Sequence, residues 1–146
     1  MYIGIDPGNS GGICAITQDS AVCYKTPGTP YDIADMLDTM IDSYKPIAVI
    51  EAVHSMPGNS ARSMFTFGTN YGIWLGLLAA YHIPYRQVTP SKWIKSFGAM
   101  PKARPERKNH LKHLAQQRNP ELKPTLATAD AILLAHYCMD THQSLS

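Results

Sequence analysis

Short apolar runs separated by turn residues open the chain. Residues 2–6, 13–17 and 21–25 are largely apolar and are divided by glycine, proline, asparagine and serine, which is the pattern of strands joined by tight turns. Residues 47–51 are apolar except for the last, as expected of a strand that is buried on both faces. A fifth strand is predicted at 83–88, so an antiparallel meander is followed by two later strands.

Helical periodicity fills the segments between and after the later strands. Between residues 32 and 44, apolar side chains recur at the spacing of one helix face, and four aspartates occupy the other face. Thr89-Pro90-Ser91 offers an N-cap for a short helix. The predicted helices are 32–44, 61–82, 90–97, 106–118 and 125–139.

This order of elements predicts an α/β fold in a single domain. It fits a five-stranded mixed sheet flanked by helices, with the first and fourth strands as central neighbours. The 146 residues match the ~100–150 residues of one usual core, so we expect one domain over 1–146. Gly68, Gly72 and Gly76 share one face of helix 61–82. We favour close packing of this face against the sheet over the alternative, a dimer seam.

The cysteine content and the apolar stretches predict a location. Three cysteines without a C-x-x-C spacing, in a chain that begins directly on a strand pattern, favour a reduced, cytoplasmic setting. The longest apolar stretch, 73–81, is far shorter than the ~20 residues that a membrane span needs. We therefore expect a soluble protein with no membrane partner.

The small net charge of +2 conceals a strongly basic segment. Residues 86–123 carry ten basic and two acidic side chains, whereas residues 1–85 carry three basic and seven acidic ones. Because Lys and Arg that neutralise phosphates supply most sequence-independent affinity for DNA, the basic segment predicts a nucleic-acid partner. The candidate DNA-binding cations are Lys92, Lys95, Lys102, Arg104, Arg107, Lys108 and Lys112. A solvated helix face is the alternative for Lys108 and Lys112.

Aromatic residues add a second kind of candidate contact. Phe65 and Phe67 are predicted to stack on opened bases, since stacking is worth ~1–3 kcal/mol and needs no particular base. The alternative is that at least one of them lies in the core. Trp93 and Phe97 interleave with the cations of the basic segment.

Three carboxylates are the candidate chemistry. Asp6 closes the first predicted strand, Glu51 closes the fourth, and Asp130 lies in the first turns of the last helix. In an open α/β sheet, ligands bind beyond the carboxyl ends of the strands. Carboxylates without Cys or His partners suit Mg²⁺ or Mn²⁺, and two such ions would favour phosphodiester hydrolysis. Taken singly, Asp6 is better explained as a turn former and Asp130 as a helix cap, and it is their joint placement around Glu51 that favours a metal site.

Several motifs together carry a family resemblance. They are Ile3-Gly4-Ile5-Asp6-Pro7-Gly8 with Gly11-Gly12, then Ile50-Glu51, then Ala129-Asp130-Ala131-Ile132-Leu133-Leu134-Ala135. In this order they resemble the RuvC-type Holliday junction resolvases, which have an RNase H-like fold. Met56-Pro57-Gly58-Asn59-Ser60, Ser63-Met64-Phe65-Thr66-Phe67-Gly68, Gly72-Ile73-Trp74 and Pro90-Ser91-Lys92-Trp93 look closer to the phage and chloroplast members.

The resemblance implies a homodimeric, metal-dependent endonuclease that makes paired nicks in four-way DNA junctions. Asp6, Glu51 and Asp130 match the family's catalytic, metal-binding carboxylates, with two Mg²⁺ or Mn²⁺ ions per site when DNA is bound. A fourth acidic or histidine ligand usually lies three positions before the last aspartate, where this chain has Ala127. A water, Thr128 or another acid would have to substitute. A phage-encoded protein acting in the host cytoplasm fits the same motifs.

Other functions remain open on the sequence alone. A nuclease of wider range, cutting flaps or forks, would use the same carboxylates, and a non-catalytic junction-binding protein would explain Ala127. The turn after Asp6 also resembles the phosphate loop of actin-like ATPases. Those proteins need a second lobe that 146 residues do not supply, so we expect no nucleotide cofactor. Lys102 and Lys108 are both candidates for stabilising transition-state charge.

Overall fold

The secondary structure follows the order that the sequence predicts. A computed structural model describes residues 1–41, 44–52, 54 and 57–143. No helix within these ranges is long and apolar enough to cross a membrane. The elements are β1 (Tyr2–Asp6), β2 (Gly12–Ile16), β3 (Ala21–Lys25), α1 (Pro30–Ile41), β4 (Ile47–Glu51), α2 (Ala61–Ala80), β5 (Tyr85–Val88), α3 (Pro90–Lys95), α4 (Arg104–Arg118), a 3₁₀ turn (Pro120–Leu122) and α5 (Ala129–Gln143).

The five strands form one mixed sheet in the order β3-β2-β1-β4-β5. The pairs β1–β2 and β2–β3 are antiparallel, as the short turns between them require, whereas β1–β4 and β4–β5 are parallel. The predicted five-stranded mixed sheet with β1 beside β4 is confirmed. Because β1, β4 and β5 run in the same direction, their carboxyl ends share one edge of the sheet.

Local hydrogen bonds move several helix ends away from the predicted positions. Helix α1 begins at Pro30 because the Thr29 hydroxyl accepts from the Asp32 amide (3.2 Å) and donates to the Asp32 carboxylate (2.7 Å). Helix α5 begins at Ala129 rather than residue 125, because Thr125 and Thr128 bond to each other in the preceding turn. Thr89 stands at the N-cap of α3, but its side chain does not cap the helix. The predicted end of α1 at residue 44 includes residues 42 and 43, which lie outside the described ranges.

Each face of the sheet has its own apolar core. On one face, α5 covers the three central strands and packs against α4, and the buried cluster there includes Cys14, Val49 and Trp93. On the other face, helices α1 and α2 bury a second cluster that includes Ile5 and Trp74. The helices therefore flank both faces of the sheet.

The three glycines of α2 do not pack against the sheet. Gly68, Gly72 and Gly76 are exposed, and a Cβ added to any of them would meet nothing within 4 Å. Trp74 and Leu78 are the residues of α2 that are buried. The interpretation of the glycines as a sheet-packing face is therefore wrong, because the helix turns its larger apolar side chains inward and leaves the glycines in solvent.

Gly4 is where the sheet and helix α5 approach most closely. A Cβ at Gly4 would lie 2.2 Å from the Ala135 nitrogen and 2.3 Å from the Ala131 oxygen, both of them backbone atoms. Real Cβ atoms essentially never approach other atoms so closely. The absence of a side chain at Gly4 thus fixes the distance of α5 from β1, and with it the position of every residue in the first turn of α5.

We expect Gly4→Ala to destabilise the protein by about 3 kcal/mol or more, because helix backbone cannot yield as a flexible side chain can. Urea denaturation followed by circular dichroism measures the change. Gly28→Ala is the matched control: a Cβ there meets nothing within 4 Å, so a change within about 0.5 kcal/mol is expected. Equal effects of the two substitutions would contradict the close contact.

Candidate active site

The pairing register of β1 with β4 and the alternation of side chains place Asp6 and Glu51 side by side at the end of the two strands. Ile5 of β1 pairs with Ile50 of β4, and the next residue along each strand is the acid. Gly4 and Val49 face helix α5. Because side chains alternate along a strand, Asp6 and Glu51, two residues later, face α5 as well. Both carboxylates therefore lie at the edge where the parallel strands end, on the side that α5 covers.

Helix α5 supplies the third carboxylate from its first turn. Asp130 is 8% exposed, and it precedes Ala131, whose carbonyl touches Gly4. Lys108, from the neighbouring helix α4, places its Nζ 3.4 Å from Asp130 Oδ2. Lys108, predicted both as a DNA contact and as a candidate for stabilising transition-state charge, therefore lies beside the carboxylates, and its side chain stays 40% exposed.

The turn after β1 holds the Asp6 side chain. Its Oδ1 atom accepts a hydrogen bond of 3.1 Å from the Gly8 amide. A Cβ at Gly11 would lie 2.2 Å from the Asp6 carbonyl oxygen and 2.8 Å from its carboxyl carbon. Gly11 is required because the chain folds back against Asp6 itself. This contact explains the glycine in the motif without invoking a phosphate-binding loop.

Trp93 holds the Glu51 side chain, a role that the sequence did not indicate. It is fully buried, and its Nε1 donates to Glu51 Oε2 at 2.7 Å. Trp93 arrives there because β5 ends level with Glu51 and helix α3 follows at once. Two sequence signals pointed toward the site: its position in a short helix after a predicted strand end, and its place in the resembling motif Pro90-Ser91-Lys92-Trp93. As a buried residue, Trp93 does not contact DNA with the cations around it.

The carboxyl groups crowd one another in a poorly hydrated place. Burial and the negative charges of Asp6 and Asp130 raise the pKa of Glu51 to about 7, although the Trp93 hydrogen bond opposes the rise. Burial, and next the charge of Asp130, raises the pKa of Asp6. Burial also raises the pKa of Asp130, against the pull of Lys108. A cation bound here would relieve this crowding.

These residues fit a hard metal ion by chemistry, and they do not form a closed ligand set. Carboxylate oxygens are the ligands that Mg²⁺ and Mn²⁺ prefer. Within the described ranges, no group of three or more Asp, Glu, His or Cys side chains is arranged to hold a metal ion. One oxygen of Glu51 is bonded to Trp93 and one of Asp130 to Lys108. Each carboxylate keeps lone pairs that these bonds do not use, so Asp6, Glu51 and Asp130 would still be able to hold a cation.

Ala127 stands where the resemblance places a fourth ligand, and no described acid outside the three contributes to the raised pKa values of Asp6, Glu51 and Asp130. The neighbouring Thr128 has its hydroxyl 3.2 Å from the Thr125 hydroxyl, and the same oxygen accepts from the Thr125 amide at 3.0 Å. These bonds close the turn before α5, so the Thr128 hydroxyl is already used in holding that turn. Thr128 was one of three proposed substitutes for the fourth metal ligand, with a water and another acid, and the geometry disfavours it.

The remaining predicted contacts lie on the surface. Phe65 is 78% exposed and Phe67 is 38% exposed, so the alternative that one of them is buried in the core is wrong. Phe97, by contrast, is half-buried, with the Arg118 guanidinium 5.0 Å from its ring centre. The exposed cations are Lys92, Lys95, Lys102, Arg104 and Lys112, and Arg107 is half-buried.

The raised pKa values predict that the metal-free protein loses stability as the pH rises. An acid whose folded-state pKa is raised stabilises the fold at low pH, and that contribution disappears as the pH passes through the folded pKa. The pKa of Glu51 rises from its usual 4.5 to about 7. This shift corresponds to a decrease of about 3 kcal/mol in the free energy of unfolding as the pH rises. Glu51→Gln should remove most of it, as measured by urea denaturation in EDTA from about pH 5 to about pH 8. The control is Asp140→Asn, which changes an exposed acid on the same helix as Asp130 and should leave the dependence of stability on pH unchanged. If Glu51→Gln shows the same pH dependence as the parent, the crowding of the carboxyl groups is contradicted.

Comparison with known proteins identifies the fold. No protein-family model and no curated protein matches the sequence. The structure of Thermus thermophilus RuvC in complex with a Holliday junction substrate matches with a TM-score of 0.61 and 15% identity, over 92% of this chain and 90% of that chain. A second Thermus thermophilus RuvC structure matches with a TM-score of 0.58 and 16% identity, over 97% and 95%. The chain has the RNase H-like fold of RuvC.

Proposed function

We propose that this protein is a Holliday junction resolvase, a metal-dependent endonuclease that makes paired nicks in four-way DNA junctions. The observation that carries the proposal is the crowding of Asp6, Glu51 and Asp130 at the sheet edge, beside Lys108. Buried carboxyl groups that raise one another's pKa destabilise a fold, and such groups cluster at functional sites. The fold is that of a protein whose structure contains a Holliday junction substrate.

The proposed chemistry is hydrolysis of a phosphodiester. Asp6, Glu51 and Asp130 would hold Mg²⁺ or Mn²⁺, two ions when DNA is bound, and the metal would supply Lewis-acid stabilisation of charge on the reacting phosphate. Trp93 donates a hydrogen bond to one oxygen of Glu51 and would so hold the orientation of this carboxylate at the metal site. Lys108 is close enough to the acids to offset negative charge there, which favours it over Lys102 as the stabiliser of transition-state charge.

The proposed DNA surface combines cations and exposed rings. Helices α3 and α4 carry the exposed cations except Lys102, which lies in the segment between them, and both helices adjoin the carboxylates through Trp93 and Lys108. Phe65 and Phe67 project from the first half of α2 into solvent, where stacking on unpaired bases costs no core packing. The cations would therefore hold the DNA backbone beside the acids, and the two rings would hold bases opened at the junction.

A homodimer follows from the proposed reaction. Paired nicks require two active sites, and the described residues of one chain contain one such carboxylate cluster. Phe65 lies on the same face of α2 as the exposed glycines, so we assign only the later part of that face, at Gly72 and Gly76, to the contact between subunits. The molar mass of the protein alone and on a junction, measured by sedimentation, tests the assembly. The motifs that resemble phage and chloroplast members, and with them a phage-encoded protein acting in the host cytoplasm, stay predictions from sequence.

We expect Asp6→Asn, Glu51→Gln and Asp130→Asn each to reduce junction cleavage at least ~100-fold, because each removes a charge that would hold the metal. The assay uses a labelled four-way junction in Mg²⁺ or in EDTA, and EDTA should abolish cleavage. Asp140→Asn is the control: it removes an exposed acid whose partner is Arg118 at 3.8 Å, and it should cut as the parent does.

Substrate choice in the same assay separates the alternatives. Flap, fork and linear duplex are offered beside the junction. Cleavage of flaps or forks in excess of junctions would replace the resolvase by a branched-DNA nuclease. Tight junction binding without cleavage, in Mg²⁺ and in Mn²⁺, would show a non-catalytic junction-binding protein, the outcome that Ala127 favours. Parental cleavage by Glu51→Gln would overturn the assignment of the carboxylates.

Removing one cation from the proposed DNA surface should weaken binding to all junctions alike. For Lys102→Gln or Arg104→Gln, the slope of log affinity against log salt concentration should fall by about 1, because one fewer phosphate is neutralised. Fluorescence anisotropy of a labelled junction with Glu51→Gln as the background measures it. Lys45→Gln, an exposed lysine at the opposite edge of the sheet, should leave the slope unchanged. If all variants and the parent have the same slope, Lys102 and Arg104 do not contact the DNA backbone.

A further inference from the structure

Cys14 of β2 and Cys23 of β3 stand directly opposite each other in the sheet. The two residues are partners in the register of this antiparallel pair of strands. Cys14 also pairs with Gly4 of β1, which faces α5, so both cysteine side chains lie on the α5 face. Cys14 belongs to the apolar cluster there, and Cys23 packs against it. The two thiols therefore share one place in the fold, which the proposed reaction does not use.

The hydrogen bonds of the β2–β3 ladder show which kind of pair the two cysteines form. The Thr17 amide donates to the Ser20 carbonyl at 2.8 Å, where the ladder begins. Hydrogen-bonded and non-hydrogen-bonded pairs alternate, so Cys14 and Cys23, three residues further along each strand, are a non-hydrogen-bonded pair. At such pairs the Cα atoms are ~4.5 Å apart and the side chains are closest. This separation lies within the ~4.4–6.8 Å that a disulfide spans.

The environments of the two thiols differ. Cys14 is fully buried, whereas Cys23 is half-buried on the edge strand of the sheet. The hydrogen bond between the thiols lowers the pKa of Cys23, and the same bond together with burial raises the pKa of Cys14. Because the thiolate is the form that attacks an oxidant, Cys23 is the thiol that reacts first. Cys14 needs to reach only the sulfur of its neighbour.

Cys138 provides a contrast within the same chain. It is buried in α5, and its thiol donates to the Ile47 carbonyl at 3.7 Å. Burial raises the pKa of Cys138 to about 11, and no other thiol contributes to that shift. Cys138 is therefore expected to stay a thiol under conditions that oxidise Cys23.

The pair also contacts the turn that leads into α5. The Cys23 thiol donates to the Thr128 carbonyl at 3.9 Å. Thr128 lies two residues before Asp130, and its hydroxyl helps to close the turn. In a disulfide the Cys23 sulfur carries no hydrogen, so this contact is lost on oxidation. A change at the two thiols would thus be transmitted to the start of the helix that carries Asp130.

We propose that Cys14 and Cys23 are a redox-active pair, which a peroxide joins in a reversible disulfide that alters the turn before α5. The Cys23 sulfur attacks hydrogen peroxide: an S–O bond forms, the O–O bond breaks, and the leaving hydroxide takes up a proton to become water. The Cys14 sulfur then attacks the resulting sulfenic acid, the S–S bond forms, and the oxygen leaves as a second water. Two thiols are oxidised and one peroxide is reduced.

The test counts thiols before and after treatment with hydrogen peroxide. The chain has three cysteines, and we expect one free thiol in the oxidised, denatured protein and three after dithiothreitol. Trypsin first cleaves after Lys25, so Cys14 and Cys23 share one peptide and Cys138 lies in another. The unalkylated shared peptide should be lighter by two hydrogen atoms than its reduced form. Three free thiols after peroxide, an oxidised Cys23 beside a free Cys14, or a disulfide that includes Cys138 or a second chain would each overturn the pair.

Two variants control the thiol count. Cys23→Ser removes the thiol that reacts first, so Cys14 and Cys138 should both stay free in peroxide. Cys138→Ala should lose both of its thiols, as the parent loses two of three. The melting temperature of each reduced variant shows that it is folded. Equal thiol loss in Cys23→Ser and in the parent would contradict the order of reaction.

A ¹H–¹⁵N spectrum tests the link to the turn. The Ala129 amide shares a peptide bond with the Thr128 carbonyl, so its signal should shift on oxidation and return with dithiothreitol. The signals of α2, on the other face of the sheet, should stay in place, and the Ala129 signal of Cys23→Ser should not respond to peroxide. A disulfide without a shift of Ala129 would overturn the link to α5. These measurements contain no DNA, so their outcome is independent of the proposed nuclease function.

Discussion

The contact between helix α5 and strand β1 at Gly4 is the constraint on which the site depends. Because the helix backbone lies where a Cβ would be, α5 is held against the sheet at a fixed distance. That distance carries Asp130 to the edge where Asp6 and Glu51 end their strands. It also brings α4, packed on α5, close enough for Lys108 to reach Asp130. A side chain at residue 4 would separate the elements that supply the charges.

Asp6, Glu51 and Asp130 lie close together although their negative charges repel one another. Burial raises the pKa of all three carboxyl groups, and negative charge on neighbouring acids raises the pKa of Asp6 and Glu51 further, whereas Lys108, the Gly8 amide and the Trp93 indole oppose the rise. Packing of α5 must therefore supply the stability that the acids remove. Such local instability is typical of sites that bind a cation or a substrate. With Ala127 in place of a fourth acid, this cluster carries less negative charge than the resemblance implies, and Lys108 reduces it further.

The sheet divides the molecule into two chemical environments. The α5 face holds the charged groups, and the α1 and α2 face holds a cavity whose walls carry no charged side chain. The loop between β1 and β2 borders both, because Gly8 bonds to Asp6 and Asn9 bonds to Asn70.

The sequence by itself determined the order of the elements and the mixed sheet, because apolar periodicity and strand ends are local signals, and it predicted the three acids as candidates. It also showed the basic segment, since charge density needs no coordinates. Only the tertiary structure decided that Trp93 bonds to Glu51 and that Lys108 pairs with Asp130, because each contact joins residues far apart in the chain. The glycines of α2 show the same limit: their spacing is visible in sequence, but which face of a helix meets the sheet depends on how the larger side chains Trp74 and Leu78 pack.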